Sequence, residues 1–218
     1  CLNGIWRGYF YATARHDAGF LSTRFNASKD WDLLTHPLDV AFDPFNPQVS
    51  EGDRVAWDAL MAAASQNLAI TANYNAVAAM LDINAYIDYL LVQLYAGNDD
   101  WPNNNYAVAR ERVPGGKFYF LVWDAEATYL SANVNKTLYR ALYANSTFRT
   151  AFQTRAQLHF GGGGALNAAN VTNRYNALKA EMQAAMPPSI TFNDFIGTNW
   201  IPNRQAVVIA DLQAEGLY

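Results

Sequence analysis

Three shortages narrow the field before any motif is considered. Cysteine occurs once, at Cys1. One thiol forms no intrachain disulfide and supplies no cysteine-based zinc site. Basic residues are outnumbered, 15 Lys and Arg against 19 Asp and Glu, and they form no run. Nucleic-acid binders carry a positive stripe, so that class is disfavoured. No apolar stretch approaches the roughly 20 residues that cross a bilayer. Histidine is also sparse. His16, His36 and His159 show no metal-ligand spacing and read as structural or exposed.

What is present is a core. Hydrophobic residues make up 51% of the 218 and aromatics 14%, enough to exclude disorder as the main state. The length suits one large domain. The chain does not begin with Met, so it is expected to be processed or part of something longer. A mature lipoprotein also begins with Cys. However, "LNGIWRGYFYATAR" reads at once as a β-hairpin turning on Asn-Gly, which favours a fragment that starts inside a domain.

Residues 15–50 read as irregular, broken by Pro37, Pro44 and Pro47. Ser50 and Asp53 form an S-x-x-D capping signal for a helix carrying Trp57, Leu60, Met61, Ala64 and Leu68 on one face. A short helix follows over Tyr74–Met80. "DINAYIDYLLVQLY" has the clearest helical period, with Gly97 placed to stop it. "NYAVAR" and "KFYFLVW" then read as strands joined by "VPGG". The remainder is helical. Phe148, Phe152 and Arg155 share one helix, Tyr175, Leu178 and Met182 another, and Pro202 starts the last. Gly161–Gly164 lacks the Gly-Lys-Ser/Thr of a phosphate loop and reads as a connector. The order predicts an α+β fold dominated by helix.

The chemistry concentrates in "YAGNDDWPNNNYAVARERVPGGKFYFLVWDAEATY", residues 95–129. Asp100 and Asn105 stand in a D-x-x-x-x-N pattern directly after a buried helix. A hairpin follows, and its second strand runs into Asp124. Protein kinases use the same order: a catalytic-loop Asp, an Asn five residues on, and a metal-binding Asp beyond. A carboxylate can accept the proton of an attacking hydroxyl. An amide carbonyl and a second carboxylate suit magnesium, a hard cation that prefers oxygen. Asp99 competes with Asp100, which is favoured because it keeps the five-residue step. Arg15, Arg110 and Lys117 are candidates to meet phosphate oxygens, arginine by its planar fork.

At these residues the sequence resembles the CotH family, spore-coat protein kinases with an atypical kinase-like fold. "GNDDWPNNNY" and "LVWDAEATY" are similar to the family's G-N-x-D-W-P-x-N-N and W-D-x-D; "LNGIWRGYFYATAR" and "EGDRVAWDALMA" match more loosely. The likeness covers about residues 2–160. It implies an atypical kinase C-lobe with an N-terminal hairpin and a catalytic-loop hairpin, forming one domain over 1–218. Within it, 1–50 is a remnant hairpin and irregular segment, and 51–218 a helical lobe with its catalytic loop at 97–129. It implies Asp100 as catalytic base and Asn105, Asn104 and Asp124 as metal ligands; Arg15 and Arg110 are expected to face the cofactor. It further implies Mg2+ or Mn2+ with ATP, a protein substrate bearing Ser or Thr, a monomer, and a spore-coat, secreted or cell-surface location in a bacterium. Two positions depart from the family. Ala14 stands where a Glu is frequent, and Glu126 replaces the second Asp of W-D-x-D. The family's nucleotide-binding lobe is expected to precede residue 1. Two other readings stay open: a non-catalytic scaffold of the coat type, and a glycoside hydrolase using Asp100 and Asp124 as its carboxylate pair. Four N-x-S/T sequons, at Asn26, Asn135, Asn145 and Asn170, do not by themselves establish secretion.

Overall fold

The computed structural model describes residues 3, 5, 7–8, 14–35, 47–99, 101, 105–125, 127–129 and 137–218. The expected hairpin over 2–14 falls largely outside them. The fold is α+β and mostly helical. Helix α1 (Ala18–Phe25) leads into strands β1 (Trp31–Thr35) and β2 (Gln48–Glu51). Helices α2 (Val55–Ala64), α3 (Thr71–Met80) and α4 (Ile83–Ala96) follow, then strands β3 (Tyr106–Glu111) and β4 (Phe118–Val122). Helices α5 (Thr137–Tyr143), α6 (Ser146–Phe160), α7 (Ala168–Ala185) and α8 (Ile201–Ala214) complete it, α8 being entered through a π-helical turn at Ile196–Trp200.

The four strands form one antiparallel sheet in the order β2-β1-β3-β4. Its centre is covered on both sides, so β1 and β3 are buried residue after residue rather than alternately. The pleat still sorts the side chains. Leu34, Tyr106, Val108 and Phe118 face the helical lobe, with Trp57 edge-on to Phe118 at 5.4 Å. Leu33, Ala107 and Ala109 face the opposite side, where Leu21 of α1 covers them. Trp57 is fully buried, which contributes about 2 kcal/mol or more from removal of its surface from water.

Segment 15–50 is therefore not irregular throughout. Asp17 caps α1 by accepting the Phe20 N–H at 2.8 Å, and Asn26 ends it in the left-handed conformation at φ 51°. β1 is only five residues long, and one of its two ladders runs to β3, more than seventy residues later. Such pairing leaves no local period to read. Ser50 is not a cap either. It sits in β2 and meets Thr35 through the hydroxyls, while Asp53 alone accepts the Val55 N–H at the start of α2. The helix stops at Ala64, short of Leu68, which is buried beyond its end.

An ion network fastens the sheet to α2. Asp32, 2% exposed, accepts from Arg110 at 3.0 Å, from Arg112 at 2.8 Å and from the Asp53 N–H at 3.0 Å. Gly52 is held at φ +72° beside it, and a Cβ there would fall 2.5 Å from both the Asp32 carboxylate and the Trp31 carbonyl. Only glycine fits that approach.

Candidate active site

The site begins where α4 ends. Asp82 caps the helix start by accepting the Ala85 N–H at 2.9 Å, and Gly97 closes it at φ 62°, its N–H reaching the Gln93 and Leu94 carbonyls. Asn98 turns back into the core, donating to the Gln93 side chain at 3.0 Å in a pair almost wholly shielded from water. Trp101 follows, 4% exposed and edge-on to Tyr89 at 5.6 Å. The start of the loop is thus anchored by an amide pair and a buried indole.

The hairpin returns the chain to this anchor. Tyr106 pairs with Val122 at its open end. Asn105 precedes that last pair by one residue on its strand, and Trp123 and Asp124 follow it on the other. Asn105 is buried and Asp124 is exposed. Beyond them the strip 127–129 is tied to the end of α4, Asp99 donating to the Ala127 carbonyl at 3.0 Å and Tyr129 to the Ala96 carbonyl at 2.7 Å. Three non-glycine residues around this point have left-handed backbones: Asn105 at φ 59°, Asp124 at φ 46° and Tyr129 at φ 67°. Asn and Asp tolerate that conformation, but a bulky Tyr there is strained. Strain of this kind collects where a loop must present side chains in a set direction.

The other expected residues divide. Arg15 is exposed, and its neighbour His16 packs against Trp123 at 5.1 Å, so Arg15 and Asp124 lie on adjoining stretches of backbone. Arg110 is not brought to this point. It lies at the closed end of the hairpin, roughly 17 Å along the strand from Asn105 at about 3.4 Å per residue. There its guanidinium is engaged by Asp32 and by the Gly116 carbonyl. Lys117 donates to the Ala78 carbonyl at the end of α3. Asp99 is exposed. Asp100, Asn104 and Glu126 lie outside the described residues.

Asn105 and Asp124 offer oxygen only, an amide and a carboxylate. A third oxygen, Asn98 Oδ1, is buried at the end of α4 with no hydrogen-bond partner among the described residues. This donor set fits a magnesium-like cation, which needs one or two carboxylates and keeps waters or takes phosphate oxygens for the rest. Among the described residues no three His, Cys, Asp or Glu side chains gather around a point.

Two positioning features escape the sequence. The Gln93–Asn98 pair sits five residues apart across a helix end; an amide in the last turn just before Gly-Asn is the only local signal. Arg204 of α8 donates to the Tyr95 carbonyl at 2.9 Å and to that of Leu94, adding a side-chain donor to the carbonyls at the end of α4. Nothing in the sequence near residue 204 points to residue 95.

Compared with protein-family models, residues 7–208 match the one described as "CotH kinase protein". No curated protein and no solved structure matches the chain.

Proposed function

The chain belongs to the CotH kinase protein family, and we propose that it transfers a phosphoryl group from Mg-ATP to a Ser or Thr hydroxyl of a protein. The observation that carries this reading is the hairpin register, which delivers Asn105 and Asp124 to one end of the sheet beside the helix-anchored loop. A metal bound there would neutralise charge on the transferring phosphate oxygens. Asp124 and Asn105 would hold it, the carboxylate by charge and the amide by its carbonyl. Asp100 would accept the proton of the attacking hydroxyl. Asp99 would remain outside, its backbone committed to Ala127. Arg15 would meet a phosphate from the neighbouring strip; Arg110, already paired with Asp32, is left out of the role.

One sequence feature favours a second reading, a scaffold without catalysis: Ala14 stands where the family frequently carries a Glu. The deciding experiment is transfer of labelled phosphate from ATP by the intact protein with magnesium or manganese, compared with Asp124→Ala and Asp100→Ala. Incorporation that vanishes in both variants supports the kinase. No incorporation and no metal-dependent nucleotide binding leaves the scaffold.

A further inference from the structure

Four polar groups lie together beneath the site loop. Tyr89 and Gln93 are one turn apart on α4, and so share a face of it; Asn98 and Trp101 follow in the loop. Each of the four side chains is 5% exposed or less. The Tyr89 hydroxyl, Gln93 Nε2, Asn98 Oδ1 and the Trp101 indole N–H are buried with no hydrogen-bond partner among the described residues. Buried polar groups are nearly always paired. These are sealed from solvent, so their partners must come from the protein itself.

The set is complementary within itself. Gln93 Nε2 and Trp101 Nε1 can only donate, Asn98 Oδ1 can only accept, and a tyrosine hydroxyl does both. The groups are also neighbours. The Trp101 ring stands edge-on to the Tyr89 ring at 5.6 Å, and Asn98 Nδ2 donates to Gln93 Oε1 at 3.0 Å. Burial pushes the Tyr89 hydroxyl well above the ordinary tyrosine pKa, while the Gln93 and Trp101 side chains pull it back, as donors facing its oxygen do. Phenylalanine would suit the packing of this ring on Trp101 and Phe120 equally well. Burying a hydroxyl costs free energy unless it is bonded, so the oxygen of Tyr89 needs a use.

In sequence, Asn98 and Trp101 flank Asp99 and Asp100. We propose that Tyr89 is a positioning residue of the site loop. Its oxygen receives the Gln93 and Trp101 donors and its hydrogen goes to Asn98, so that the loop is bracketed on both sides of the two acids by one face of α4. The effect on catalysis rests on the phosphoryl-transfer reading, in which Asp100 is the base; the bonds do not.

Tyr89→Phe removes the oxygen and keeps the ring. In the intact protein, NMR follows the Trp101 indole N–H, assigned through its backbone. Loss of the bond should move this resonance upfield and speed its exchange with deuterium about tenfold, the scale of one buried hydrogen bond. Transfer of label from Mg-ATP to casein and to the protein itself should slow about tenfold or more at saturating ATP, with KM for ATP unchanged. Tyr89→Phe combined with Gln93→Met should lose no more than the worse single variant, because the two side chains act as one unit. If Tyr89→Phe does not fold, Gln93→Met carries the same two readouts. An unmoved Trp101 resonance overturns the bracket. A moved resonance with an unchanged transfer rate also overturns it, leaving the hydroxyl a packing role alone. No transfer by wild type sinks the phosphoryl-transfer reading, and the bracket then stands or falls on the resonance.

Discussion

The N–H of Asp99 donates to the carbonyl of Ala127 at 3.0 Å, and three residues before Ala127 stands Asp124. The bond makes the loop after α4 and the strip after β4 a single piece of backbone. A second, from Tyr129 to Ala96, closes the other side. The position of the exposed Asp124 is consequently set by main chain, not by its own side chain.

Asp124→Asn should therefore leave the fold almost untouched. An exposed side chain that makes no hydrogen bond or ion pair among the described residues changes stability by about 0.5 kcal/mol or less. Thermal melting should coincide with wild type while metal-dependent nucleotide binding falls at least tenfold. A matching loss of melting temperature would instead make Asp124 a structural residue.

Gly52 and Gly115 offer a controlled comparison. Both have left-handed backbones, φ +72° and φ +74°. A Cβ on Gly115 meets nothing within 4 Å, whereas one on Gly52 strikes Asp32 and the Trp31 carbonyl at 2.5 Å. Gly115→Ala should cost the conformational penalty alone, about 1 kcal/mol. Gly52→Ala should cost about 3 kcal/mol or more, because the clash also disturbs a carboxylate buried against Arg110 and Arg112. Urea denaturation of the two variants measures the difference; equal midpoints would remove the Asp32 network from the argument.

His16 should make the strip beside Trp123 sensitive to acid. Burial holds its pKa below the ordinary histidine value of about 6.5. The fold thus favours the neutral ring, and the unfolded chain binds the proton first as pH falls. Stability from this group is fully present above about pH 6.5 and declines as pH drops through the lower folded value. Stability against pH between 5 and 8 should slope more steeply in wild type than in His16→Phe. Parallel curves would contradict the assignment.

Asn145 is a sequon in sequence and a cap in structure. Its Oδ1 accepts the Thr147 N–H at 2.9 Å, its Nδ2 donates to the Leu68 carbonyl at 2.8 Å, and it is 3% exposed. No glycan can reach it in the folded chain. Expression in a glycosylating host should give no sugar at Asn145 by peptide mass spectrometry. Asn145→Ala should destabilise by about 2 kcal/mol, through lost capping and an unpaired buried carbonyl.

The elements that could be read in sequence were those that carry their own signals. α4 has a helical period, an Asp cap and a Gly stop within sixteen residues, and the β3–β4 hairpin has two apolar runs and a Gly-Gly turn. The order of Asp, Asn and Asp along the site was visible for the same reason. β1 was not visible because one of its ladders depends on residues far off in the chain and its burial on both faces erases alternation; β2 is a short, exposed edge strand with no apolar pattern to read. Arg110 was read as a phosphate candidate for its planar fork; only the fold brings Asp32 to it across 78 residues.

The bonds from Arg204 to the carbonyls of Leu94 and Tyr95 also set an order of events. Two of the carbonyls at the end of α4, from which the site loop departs, receive a side chain made about 110 residues later. On the ribosome, the loop and its hairpin are complete well before that arginine exists. The nascent chain then holds every proposed catalytic group but not this clamp on the helix beneath them.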